Sequence, residues 1–164
     1  MKTILLSVHN DQALTNVGAL CFGDSKSFSQ KAFELETKQM KYSWPLAVWE
    51  KSVSDASLIL FFMGEKSFAL FQKHPLDPVL HLLKIVVDQS LRGSGQASLL
   101  IQQSILITKA LHSDIESIYL EVEEENLRAQ KFYLKNGFQI IHKKKGFYSD
   151  GSGAFIMQKK LTVN

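Results

Sequence analysis

A nearly unbroken apolar run from Val79 to Val87 leads into the glycine-bearing turn Arg92-Gly93-Ser94-Gly95-Gln96-Ala97, and the turn feeds a helical pattern carrying Leu100, Ile101, Ile105, Ile107 and Leu111. This order of strand, turn and helix constrains the chain more than any other feature. A run broken only by His81 and Lys84 suits a strand covered on both faces in the middle of a sheet. His81 is expected to be a core or edge histidine rather than a ligand-binding one. The turn is a phosphate site by physics: a helix start offers unpaired amides at the positive end of the helix dipole, and glycines let an anion approach the backbone.

The kind of anion can be narrowed. No Gly-Lys-Ser/Thr ending is present, which excludes a nucleoside triphosphate loop. A dinucleotide fold places its glycine turn after the first strand, whereas Gly93 and Gly95 follow a late one and Ser98 takes the third glycine's place. The 164 residues, 45% of them apolar, suit one domain over 1–164. Cys21 is the single cysteine and no Cys/His cluster occurs, so neither a disulfide framework nor a metal site is expected, and the setting is expected to be reducing and cytoplasmic. The net charge of +3 rests on lysines, with Arg92 and Arg128 the only arginines, which disfavours nucleic acid as a partner. Met1 to Val8 is too short an apolar stretch for a signal peptide or membrane span and is expected to be a first strand. Lys143-Lys144-Lys145 is expected to be a solvated face.

Other elements follow from periodicity. Asn10 or Asp11 can cap a helix carrying Leu14, Val17, Leu20 and Cys21. Residues 23–41 are polar and look like a mobile, helix-bearing excursion from the core. Trp44-Pro45 opens a helix through Ala47, Val48 and Val53. Leu58–Phe62 and Ser67–Phe71 flank a glycine turn as a hairpin. Ile118 to Val122 is a strand with Ile118, Leu120 and Val122 on one face and Tyr119 and Glu121 on the other. A helix from about Asn126 to Asn136 stops at Gly137, and Phe138–His142 and Ala154–Leu161 close the domain as paired strands.

Two separated blocks then carry a family likeness. Arg92-Gly93-Ser94-Gly95-Gln96-Ala97 resembles the loop that grips the pyrophosphate of acetyl-CoA in the GNAT superfamily of N-acetyltransferases. Leu120-Glu121-Val122, Asn126, Ala129, Phe132-Tyr133 and Gly137-Phe138 resemble the second conserved block of the RimI-type ribosomal-protein-alanine N-acetyltransferases, and Phe147-Tyr148, Asp150-Gly151 and Ala154 to Met157 extend the likeness. It departs at Ala97, often glycine, at Gly153, where an acidic residue often stands just before the position of Ala154, and in the length of 23–41.

The resemblance implies a mixed α/β (α+β) fold with a mostly antiparallel sheet, flanked by helices and splayed at the cofactor strand. It implies acetyl-CoA as co-substrate, bound along Ile85, Val86 and Val87, by Arg92 to Ser98 around the diphosphate, and by Asn126 and Ala129 on the following helix. It also implies Glu121 as base and Tyr133 as acid, with a backbone N–H near Val87 for the oxyanion. These roles fit amine chemistry, since an α-amine has a pKa near about 8 and must lose a proton before attacking a thioester. Phe147, Tyr148, Trp44 and Trp49 suit either an acceptor pocket or plain core packing. The acceptor expected is the N-terminal α-amine of a protein or peptide, with a ribosomal protein as the specific case. A small-molecule amine acetylase and a non-catalytic acetyl-CoA-binding module are the alternatives, and oligomeric state is left open.

Overall fold

The computed structural model describes residues 5–8, 25–40, 43–52, 55 and 57–161. Among these, the strands β1 (Leu5–Val8), β2 (Leu58–Met63), β3 (Ser67–Lys73), β4 (Val79–Val87), β5 (Ser117–Glu123), β6 (Gln139–Lys144) and β7 (Ala154–Lys160) join in one sheet. Their order is β1-β2-β3-β4-β5-β7-β6. Only β1–β2 and β4–β5 pair in parallel. Helices α1 (Ser25–Gln39) and α2 (Leu46–Ser52) cover one face, and α3 (Gln96–Leu111) and α4 (Leu127–Lys135) the other. The expected mixed, mostly antiparallel sheet flanked by helices is therefore the one observed. The helix expected after the first strand, Cys21 and Val53 lie outside the described residues.

Cover on both faces explains the apolar runs. In β2, Leu58, Leu60 and Phe62 pack with Leu35 and Trp49 on the α1/α2 side. Ile59, Phe61 and Met63 pack with Leu100 and Ile101 on the α3/α4 side. Every position is therefore apolar, and each such side chain contributes about 1.5–3 kcal/mol by leaving water.

Of the segment 23–41, residues 25–40 are described, and they carry the expected helix, α1. This helix packs on the sheet, with Ser29, Ala32 and Glu36 fully buried. These residues recur at helical spacing, and their small and polar side chains dilute the hydrophobic signal of Phe28, Phe33 and Leu35 on the same helix.

The strand β4 carries a bulge that shapes everything after it. Leu70 pairs with Lys84 and Phe71 with Leu82, so Leu83 is the extra residue. Leu80 and Leu82 face the α3/α4 core, yet beyond the bulge it is Ile85 that faces it, while Leu83 and Val86 join the opposite cluster. The bulge thereby turns Lys84 toward α1, where its ammonium meets Glu36. The neighbouring pairing also ends early: β4 meets β5 only at Val79–Ser117, Leu80–Ile118 and His81–Tyr119. From there β5 continues with β7 alone, as far as Glu123. The sheet is open between the second half of β4 and the end of β5.

Candidate active site

The anion turn forms as its residues require. Asp88 starts it, its carboxylate accepting the Ser90 hydroxyl at 2.6 Å and amide at 2.9 Å. Those two bonds, the hydroxyl's first, hold Asp88 below its usual pKa, so it remains charged. Gly93 and Gly95 adopt φ of +84° and +88°, a region in which a Cβ is strained even where space is open. Gly95 is the N-cap of α3 and supplies no capping side chain. The amides of Gly93, Gly95, Ala97 and Ser98 find no acceptor among the described residues, in the turn that follows β4. Arg92 is exposed beside them, its guanidinium donating at 3.0 Å to Gln39 Oε1. Gln39 in turn donates to Asp88 at 3.1 Å, and Gln96 reaches Ser67 at 3.3 Å. The end of α1 and the β2–β3 turn thus brace the loop, a link that residue spacing does not reveal. Ser94, exposed, closes the turn locally, its hydroxyl donating to Leu91 O at 2.7 Å.

The three expected strand residues separate by face. Ile85 packs toward α3, Val87 is half-buried, and the Val86 side chain is buried in the α1/α2 cluster. Only the backbone of Val86 is therefore available to a ligand in the opening.

Where β4 and β5 part, three side chains meet on the face opposite Leu120 and Val122. His81 Nε2 lies 2.6 Å from Glu121 Oε2, and the His81 ring stacks on Tyr119 with centroids 4.3 Å apart. His81 and Glu121 are each 19% exposed. Burial, then the Glu121 charge, raises the Tyr119 phenol above its usual pKa and keeps it neutral. His81 is thus neither a core nor a bare edge histidine but the partner of the predicted base. Alternation within each strand puts both residues on the same face; only the parallel register of β4 and β5, which no local pattern reveals, brings them together.

Tyr133 lies on the other face of the sheet. It is buried in the α3/α4 core, edge-on to Phe132 and Phe138 at 5.2 and 5.6 Å. Desolvation, with a smaller contribution from nearby Tyr148, drives its phenol far above the ordinary tyrosine pKa. Asn126 is the N-cap of α4, its Oδ1 accepting the Ala129 amide at 3.0 Å; the Ala129 side chain is half-buried in the same core. The Asn126 side-chain oxygen therefore serves the cap, which leaves its amide nitrogen to meet a ligand.

On the α1/α2 face of the sheet, Glu36 organises the α1–α2 segment. Its Oε2 accepts the Trp49 indole at 2.7 Å and the Trp44 amide at 3.2 Å, and its Oε1 pairs with Lys84 at 2.5 Å. The Lys84 ammonium also sits 4.4 Å from the Trp44 ring centre. Trp49 is accordingly core, while Trp44 is half-exposed. Phe147 and Tyr148 are half-buried against each other. Lys143 pairs with Glu124, and the lysine run is exposed as expected. No group of His, Cys, Asp and Glu among the described residues could hold a metal ion, and no described helix is long and apolar enough to cross a membrane.

An opened sheet beside a cap-free helix start defines a class of α/β domain suited to a long ligand with an anionic centre, its arm inserted between two strands. The chain belongs to one family within that class: residues 29–138 match the acetyltransferase (GNAT) family. It is 35% identical over 83 residues to an N-alpha-acetyltransferase of Saccharolobus solfataricus, a match covering 49% of this chain and 48% of that protein, about half its length. The fold is shared with the ribosomal-protein-S18-alanine N-acetyltransferase of Escherichia coli, at a TM-score of 0.72 and 19% identity over 84% of this chain and 90% of that one. It is likewise shared with Ard1 of Thermoplasma volcanium, at 0.73 and 21% over 85% and 95%.

Proposed function

We propose that the protein transfers the acetyl group of acetyl-CoA directly to the α-amine of a protein or peptide N-terminus in the cytoplasm, a ribosomal protein being the specific case. The observation that carries this reading is the parting of β4 from β5 between a cap-free α3 start and the His81–Glu121 pair. The N-alpha-acetyltransferase likeness supports the acceptor class.

In this reading the diphosphate of acetyl-CoA takes the amides of Gly93, Gly95, Ala97 and Ser98, with Arg92 and the Gln96 end of the loop beside it. The pantetheine arm runs along Ile85, Val86 and Val87, with Asn126 and Ala129 on its other side. The thioester then lies between two faces of the sheet. On one face the Glu121–His81 pair takes a proton from the acceptor ammonium, and on the other Tyr133 protonates the departing thiolate. A backbone N–H near Val87 meets the oxyanion. Direct attack needs no covalent relay: the amine nitrogen bonds to the acetyl carbon as the carbon–sulfur bond breaks.

Incubating the protein with acetyl-CoA and a panel of free-N-terminal peptides, N-terminally blocked lysine peptides and small amines tests this, read by thiol release and mass. The expected result is a mass gain on free N-termini alone. Modification confined to small amines or lysines would contradict the acceptor, and acetyl-CoA binding with no modified amine would make the protein an idle carrier module.

A further inference from the structure

The geometry points to Asn136 as a positioning residue for the diphosphate of the acyl carrier, acting through the Ser98 hydroxyl. The inference rests on the acetyl-transfer reading above and goes beyond it, since that reading gives Ser98 only its backbone amide and Asn136 no part.

Asn136 ends α4 and is 8% exposed. Stopping the helix does not require its side chain. Gly137 takes the left-handed turn at φ +85°, the Asn136 amide closes on Phe132 O at 3.1 Å and Tyr133 O at 3.0 Å, and the Lys159 ammonium donates to Asn136 O at 2.8 Å. A carboxamide buried beyond those needs is costly unless it is bonded, and one of its bonds crosses to another helix. Nδ2 lies 2.8 Å from Phe132 O and 3.1 Å from Ser98 Oγ. The Phe132 carbonyl can only accept, so the nitrogen and not the oxygen is the atom that faces both partners. One of its two protons stays within α4, and the other goes to Ser98.

The consequence falls on the Ser98 hydroxyl. Ser98 is the third residue of α3. Its Oγ accepts from an amide nitrogen that has no lone pair to offer, so its own proton is turned away from Asn136, and it meets no acceptor among the described residues. The backbone amide of the same residue is one of the unpartnered amides of the turn. A single residue in the first turn of α3 thus carries two unengaged donors, where the helix dipole favours an anion. A hydroxyl that already accepts a hydrogen bond is also the stronger donor to a charged oxygen. Without Asn136, that hydroxyl is free to turn back onto a carbonyl of the preceding turn, the ordinary bond of a helical serine, and is lost to the ligand.

Calorimetry with acetyl-CoA and with S-acetylpantetheine, which has no diphosphate, tests this. Asn136→Leu matches the volume and leaves Phe132 O its bond from the backbone amide at 136; Asn136→Ala takes its place if the leucine variant does not fold. Affinity for acetyl-CoA is expected to fall about tenfold, while that for the fragment stays within about twofold. In turnover with a free-N-terminal peptide the loss should fall on the KM for acetyl-CoA rather than on kcat. Ser98→Ala should show the same pattern, and the double variant should lose no more than Ser98→Ala alone, because one hydroxyl carries both effects. Equal losses for the two ligands, unchanged affinity for both, or losses that multiply in the double variant would overturn the inference and leave Asn136 a packing residue. Wild-type protein that binds the two ligands equally would remove the diphosphate reading, and this inference with it, whereas a wild type that prefers acetyl-CoA beside an unaffected Asn136→Leu removes the inference alone.

Discussion

Replacing Tyr133 with phenylalanine is expected to lower kcat about a thousandfold while acetyl-CoA affinity changes less than about twofold. The hydroxyl is the only part lost, and the ring contacts with Phe132 and Phe138 that hold α4 remain. Burial raises the phenol well beyond its usual range, so its proton stays on oxygen at every working pH. The same dry surroundings disfavour a free thiolate, raising the leaving group's basicity alongside that of its donor and keeping transfer between them feasible. It follows that kcat should show no alkaline fall attributable to this tyrosine up to about pH 10. Pre-steady-state mixing with peptide, which isolates the chemical step, checks both expectations. A Tyr133→Phe variant with wild-type turnover would remove the acid role.

The largest effect on stability is expected at Lys84. Its side chain is 7% exposed and that of Glu36 is 0%, with 2.5 Å between them. Lys84→Met conserves volume but strands a carboxylate in the core, which costs about 3–5 kcal/mol. For a domain of this length the thermal midpoint should fall by roughly 10 °C. Glu36→Gln in the same chain removes the stranded charge while keeping an acceptor for the Trp49 indole, and should recover much of the loss. Urea unfolding of the two single variants and the double variant measures the coupling. A loss under about 1 kcal/mol in Lys84→Met would show the pair to be as weak as a solvated one. Because Glu36 also holds the Trp44 amide, the same variant should loosen the segment between α1 and α2 and raise the peptide KM.

Legibility followed how local each cause is. The doubly covered strands β2, β3 and β4 are plain in the sequence because both of their faces are buried. Gly93 and Gly95 are plain because a glycine-bearing turn between a strand and a helix is a local signal, and the positive φ of both is its cause in the structure. The stop of α4 at Gly137 is plain for the same local reason. By contrast, α1 buries Ser29, Ala32 and Glu36 beside Leu35, a stripe in which small and polar side chains blunt the hydropathy contrast, so its packing on the sheet is not legible from periodicity. The bulge at Leu83 is a register effect between β3 and β4, and it alone decides that Lys84 meets Glu36 rather than the α3/α4 core. Glu121 was identifiable from its block, but its partner His81 sits forty positions earlier and is joined to it only through the parallel pairing of β4 with β5. Asn126 shows the reverse case: its cap role is a local one, readable from its place before a helix, and it competes with the ligand role drawn from resemblance.

Titration calorimetry comparing acetyl-CoA with S-acetylpantetheine, which carries the same thioester and arm but no diphosphate, bears most directly on the loop at Arg92 to Ser98. Saturable binding of acetyl-CoA, at least about a hundredfold tighter than the fragment and lost in Gly95→Val, is the predicted result. Equal affinity for the two, or no heat with either, would mean that these amides do not hold the acyl carrier.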